Sequence, residues 1–250
     1  KRQCTLQLVF SPDLPADRQP KPGIIFRGKG TRIPRSETEA YHPDVHVYWQ
    51  PKAWVDRPTA VKWAGDFKKD LAQKSFPDEK DAVDCCLLMD NLDAQWQKPY
   101  LAELKKVVKN KKKKSIRVFP WFHLADSTDL SQAVDAGYAA EIKVEMARKQ
   151  DEWMDTPENL DKWCSGELTA GDRRILLTHW LGEAVEVVHS KPPNETTGKT
   201  SLWRYFEKTG CLMTIDGSGD KLIHIQVAVW FFSYVHASHI LAHIQLSTLM

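Results

Sequence analysis

Two acids in this sequence stand where a carboxylate can do chemistry. Asp90 ends the apolar run Ala82–Met89 (AVDCCLLM), and Asp135 opens a helical pattern, with Asp126 and Asp129 in the loop before it. A buried strand that ends in an acid puts the carboxylate at the C-terminal rim of its sheet, where ligands of open α/β sheets collect. Each acid also has a plainer reading: Asp90 as a turn residue, Asp135 as an acid favoured at a helix N-terminus. Two carboxylates converging across one strand–helix unit repel each other, and a divalent cation relieves that repulsion. Hard oxygen ligands with open positions suit Mg²⁺ or Mn²⁺. Two such ions can clamp the attacking and leaving oxygens in phosphodiester cleavage.

A second group of residues is basic. Lys111, Lys112, Lys113 and Lys114 follow Lys109 and Asn110. Such a run reads as a DNA-backbone contact or a nuclear localisation signal, or as a solvated loop between helix and strand. Lys52 and Arg57, in QPKAWVDR, can touch a phosphate backbone, or can simply be surface at a helix start. Trp49, Trp54 and Trp63 read as core rather than as base-stacking platforms. Gly28-Lys29-Gly30 is too short for a phosphate-cradling loop and reads as a turn. His236, His239 and His243 fall on one face if their segment is helical, a spacing compatible with metal binding but more often packed or solvated.

The elements that must position these residues follow from hydrophobic spacing. Arg2–Phe10, Ile24–Arg27, His46–Trp49, Ala82–Met89 and Ile116–Phe119 read as strands, the last ended by Pro120. Arg57–Gln73, Gln97–Lys109 and Gln132–Lys149 read as helices. This order implies a mixed α/β sheet over residues 1–150. From Trp153 the pattern is helical only, with a start signal at Thr156-Pro157-Glu158 and a strong amphipathic helix over Ala170–His189. Residues 151–222 thus form a helical extension, and 223–250 an apolar tail. Within that tail Val227–Met250 is long enough for a membrane span, but its histidines, serines and glutamine argue against one.

The chain has 250 residues, of which 42% are hydrophobic and 27% charged, so enough apolar surface exists to offset chain entropy and wholesale disorder is excluded. Its net charge of +2 excludes a simple polybasic tail. Five irregularly spaced cysteines (Cys4, Cys85, Cys86, Cys164, Cys211) form neither a disulfide framework nor a metal knuckle, which points to a reducing compartment.

The stretches Ile24–Trp63 (IIFRGKGTRI … QPKAWVDRPTAVKW), Leu87–Asn91 (LLMDN) and Ala125–Tyr138 (ADSTDLSQAVDAGY) together resemble a DDE superfamily endonuclease, and more narrowly a pogo-like transposase of the mariner superfamily. Trp163–Ala184 (WCSGELTAGDRRILLTHWLGEA) resembles the helical region that follows the core in related elements. The resemblance covers residues 1 to about 220. It implies an RNase H-like fold with a C-terminal helical extension, a nuclear location, DNA as partner, and metal-dependent DNA hydrolysis and strand transfer with two Mg²⁺ or Mn²⁺ ions; it allows a homodimer. By motif match Asp90 is the second acid and Asp135 the third, because Asp135 takes the place of the acid in the Gln-Pro-x-Asp block; Asp129 is the alternative. Ala133 replaces the usual Pro. The first acid lies on a strand just before Arg2–Phe10, so the chain is expected to begin one strand late, without that acid or the upstream helix-turn-helix. A non-catalytic transposase remnant that binds nucleic acid or protein is the alternative expectation. A membrane partner is not expected.

Overall fold

The computed structural model describes residues 4–123 and 131–212, residues 218, 221 and 223, and the backbone of 239–248. Strands β1 (Cys4–Phe10), β2 (Gly23–Arg27), β3 (His46–Gln50), β4 (Val83–Met89), β5 (Val108–Lys109), β6 (Ser115–Phe122) and β7 (His239–Thr248) form one sheet in the order β3-β2-β1-β7-β4-β6-β5. The pairs β1–β2, β1–β7 and β5–β6 are antiparallel, whereas β2–β3, β4–β7 and β4–β6 are parallel. The architecture is therefore mixed α/β, with helices on both faces.

Alternation along the strands divides the core in two. Cys4, Leu6, Leu8 and Phe10 of β1, with Cys86 and Leu88 of β4, face α5 (Ala139–Met154) and α7 (Ala170–His189) through Ile142, Met146, Trp180 and Leu181. Val9, Ile25, Cys85, Leu87 and Met89 face α2 (Arg57–Asp70) and α4 (Lys98–Lys105) through Trp63, Phe67, Tyr100 and Leu104. Between β3 and α2, Asp56 caps the helix by accepting the Thr59 N–H at 3.0 Å. At the other side of the sheet Thr169 and Asp172 form a reciprocal capping box that starts α7. The remaining helices are α1 (Arg35–Glu39), α3 (Asp93–Trp96), α6 (Pro157–Ser165) and α8 (Ser201–Lys208).

Several boundaries differ from the sequence expectation. The helix expected over Gln97–Lys109 stops at Lys105; Lys106 is extended at ψ 121°, and Val108 pairs with Ile116 instead. Two successive β-branched valines favour this hairpin over another helical turn. Strand β6 continues through Pro120 to Phe122, because Pro120 pairs with Leu87 on one side while β5 covers only Ser115 and Ile116 on the other. A proline is tolerated where its missing N–H faces no partner strand. Gln132–Lys149 begins with a π turn at Val134–Tyr138 before α5. Residues 239–248 form a strand rather than part of a helical tail, so the helix-face spacing of His239 and His243 does not apply; His236 lies outside the described residues. Among the described residues no helix is long and apolar enough to cross a membrane.

Candidate functional site

Asp90 follows β4 directly, at the C-terminal rim of the sheet, and is partly buried. Its Oδ1 accepts the Asn91 N–H at 2.7 Å. The Asn91 side-chain amide donates to the His123 carbonyl at 2.7 Å, and the His123 N–H donates to the Met89 carbonyl at 3.3 Å. These bonds lock the ends of β4 and β6 together. His123 is 4% exposed and shares a 3.0 Å hydrogen bond through Nδ1 with the Ser131 hydroxyl. Burial lowers its pKa to about 4, so the ring is neutral at pH 7. Burial likewise pushes the thiols of Cys86 and Cys211 up to about 11, which leaves neither as a thiolate nucleophile.

Asp135 sits in the π turn that opens α5. Gln132, Ala133 and Val134 are buried, while Asp135 is exposed. The next turn requires glycine: Gly137 has φ 147°, and a Cβ there would meet the Tyr205 ring at 2.5 Å. Tyr138 then packs against Phe10 with ring centroids 4.2 Å apart, which anchors the start of α5 to β1. Ala133, in the place of the expected proline, is wholly buried in this core.

The described carboxylates assemble no cation site. Among the described residues no group of three or more His, Cys, Asp or Glu side chains could hold a metal ion. The expectation of two Mg²⁺ or Mn²⁺ ions is therefore corrected. The physical reason is local: Asp90 is turned onto its neighbour's N–H, and the buried residues around Asp135 leave its own side chain at the surface. Asp129 lies outside the described residues.

The basic residues fall at the two edges of the sheet. Lys111 to Lys114 form the exposed tip of the β5–β6 hairpin. Asn110 holds that tip: its side-chain amide donates to the Phe76 and Glu79 carbonyls, its Oδ1 accepts the Lys114 N–H, and its carbonyl accepts the Lys113 N–H. Lys113 adopts φ 59°, so the turn is tight and its lysines splay outward. No ion pair engages these four side chains among the described residues. Lys52 and Arg57 are also exposed, but at the β3 edge, at the other end of the strand order. Beside them Trp54 is 57% exposed, contrary to the expectation of a core residue, while Trp63 is buried and Trp49 partly so.

Two residues with chemical potential escaped the sequence reading. Phe119 on β6 is 44% exposed, and Arg117 lies over its ring at 6.0 Å. The only hint was the alternation Ile116, Arg117, Val118, Phe119, which puts the aromatic on the same face as the arginine.

The chain matches no protein-family model, and neither curated proteins nor solved structures include a match to it.

Proposed function

We propose that these residues form a transposase-derived domain of RNase H-like type that binds DNA through the β5–β6 lysine hairpin and does not cleave it, acting in the nucleus. The observation that carries this reading is the hairpin itself. Four consecutive lysines stand exposed on a turn braced by the buried Asn110, and no ion pair claims them among the described residues. Cations held this way exchange condensed counterions for phosphate contacts, the main source of sequence-independent DNA affinity.

The resemblance to DDE endonucleases is what supports the finer fold, and the arrangement of strands bears on the absence of cleavage. The resemblance places a first acid on a strand directly before β1. Consecutive strands usually lie side by side, and on the side of β1 away from β2 the neighbour is β7. Its residues, HILAHIQLST, contain no carboxylate. On this reading the strand between β1 and β4 supplies no acid.

The test is binding of fluorescently labelled DNA at several salt concentrations, with the quadruple variant replacing Lys111, Lys112, Lys113 and Lys114 by alanine. The variant is expected to bind at least tenfold more weakly, about 1.4 kcal/mol, with a salt slope shallower by about 0.9 for each phosphate it no longer neutralises. Supercoiled plasmid incubated with Mg²⁺ or Mn²⁺ is expected to stay intact. Unchanged affinity in the quadruple variant would overturn the lysine reading, and nicking abolished by Asp90→Ala would overturn the non-cleaving one.

A further inference from the structure

We infer that the strand face carrying Phe119 is a stacking platform for unpaired nucleobases, so that single-stranded DNA is the preferred ligand; the inference rests on the DNA-binding reading above and deepens it. The argument begins with alternation. Ile116 and Val118 are buried against α2 and α4, so Ser115, Arg117 and Phe119 point to the opposite face of β6. Lys109 pairs with Ser115 across the hairpin and donates to its hydroxyl at 2.7 Å, which puts Lys109 on that same face.

The helical cover ends before it reaches this strip. Phe119 pairs in register with Cys86, which is 3% exposed beneath the helical layer, yet Phe119 itself is 44% exposed. Arg117 pairs with Asp84 through two hydrogen bonds of 2.6 and 2.7 Å, which fixes the guanidinium over the ring, 6.0 Å from its centroid. That pairing also neutralises Asp84, the carboxylate directly opposite Arg117 in β4. The loop that Asn110 braces carries Asp78 and Asp81, which are exposed, and Glu79, which pairs with Arg18 at 3.6 Å; the first two oppose the lysines in part. Lys109 and Lys111 to Lys114 outnumber them.

The chemistry of this strip selects for unpaired bases. Stacking on an aromatic side chain strengthens binding by about five- to 150-fold per base and tolerates any sequence, because every base has a π-face. Lys114, just before β6, and Phe119 are five positions apart, about 17 Å at most at ~3.4 Å per residue. A backbone held by the lysines can therefore lay a base on the ring. A duplex hides its base faces in its own stack, so it can engage the lysines but not Phe119.

The experiment is fluorescence anisotropy of a labelled oligothymidylate and of a duplex of equal length, with wild type, Phe119→Ala, Phe119→Trp and the quadruple lysine variant. Urea unfolding of each variant confirms that this exposed position leaves the fold intact. Phe119→Ala is expected to weaken single-strand binding about tenfold, 1.4 kcal/mol, with an unchanged salt slope and duplex affinity within twofold. Phe119→Trp is expected to restore single-strand binding. Equal single-strand affinity for wild type and Phe119→Ala, or tighter binding of the duplex by wild type, overturns the platform while leaving the lysine reading in place. Loss of lysine dependence overturns the lysine reading, and failure of wild type to bind either DNA overturns both.

Discussion

At the β3 edge of the sheet, Arg174 reaches across from α7 to pair with Glu37 through bonds of 2.7 and 3.0 Å and lies over the Trp49 ring at 5.0 Å. Gly30 lets the preceding chain pass against the same indole. At the β5 edge, Lys111 to Lys114 make no such ties among the described residues, and Phe119 has a partly open face. Both edges bring cations and aromatics together. One uses them to hold α1 and α7 to the sheet, and the other leaves them facing water. Exposed lysines also deter edge-to-edge aggregation, so the β5 hairpin protects the fold whatever it binds. The contrast teaches that a cation beside an aromatic is not by itself a binding site: Arg174 is held by the buried Glu37, whereas at the β5 edge Arg117 pairs with the partly exposed Asp84 and no ion pair engages Lys111 to Lys114 among the described residues.

The largest test of this contrast strikes the tied edge. Gly30 has φ 67°, and a Cβ would lie 2.5 Å from Trp49. Left-handed backbone costs a non-glycine residue about 1–2 kcal/mol, and overpacking about 1–3 kcal/mol. Gly30→Ala should therefore destabilise the protein by about 3 kcal/mol in urea unfolding. Gly198→Ala, with φ 65° but open space around it, should cost only about 1 kcal/mol.

Arg174→Ala comes next. Glu37 is 7% exposed, and removing its partner strands a buried carboxylate, but Arg174 keeps 20% side-chain exposure, so about 2 kcal/mol is expected rather than the full cost of a buried pair. The hydrogen bond from Arg174 holds the Glu37 pKa below its ordinary value. Its stabilising effect is therefore complete above the ordinary carboxylate range and is lost as pH falls through the depressed folded value. Unfolding measured against pH should show that acid loss in wild type and not in Arg174→Ala.

The buried histidines act in a different pH window, and their test reads a slope rather than a loss at one pH. Burial lowers His189 to about 3 and His123 to about 4, from an ordinary value of 6.5. Between those values and 6.5 the unfolded chain binds more protons, so each histidine removes about 1 kcal/mol of stability per pH unit as pH falls below 6.5. His189, hydrogen-bonded to the Tyr138 hydroxyl at 2.8 Å, is the cleaner probe. In His189→Gln that slope should halve at about pH 5, read by urea unfolding.

The smallest expected effect is on the open edge. Replacing Lys111 to Lys114 by alanine should change stability by no more than about 0.5 kcal/mol, since exposed substitutions away from packed features rarely cost more. The double variant Lys52→Ala, Arg57→Ala should leave DNA affinity within twofold. Equal binding losses from the two sets of variants would erase the distinction between the edges.

Much of the frame was legible from spacing alone. The short apolar run before Asp90 read as a buried strand, and Ala170–His189 carried a helical stripe; both are what the structure shows. The edges were less legible. Val107 and Val108 continue a helical period from Tyr100, and only pairing with Ile116 turns Val108 into strand. Trp54 and Trp63 are the same residue type in one short segment, yet one is exposed and the other is stacked on Phe67 at 5.0 Å. Residue type states what a side chain can do, whereas neighbours from distant segments decide whether it is left free to do it.

By itself, then, the sequence determined the alternation of strands and helices, the acid at the end of β4, and the run of lysines, because these depend on periods and turns within a few residues. The tertiary structure decided that Asp90 and Asp135 join no metal-holding group among the described residues. It placed β7 between β1 and β4, and it separated Lys52 and Arg57 from the lysine hairpin by the width of a sheet. Those outcomes depend on strand order, and strand order is set by which buried faces meet across long stretches of chain, a preference that no local pattern records.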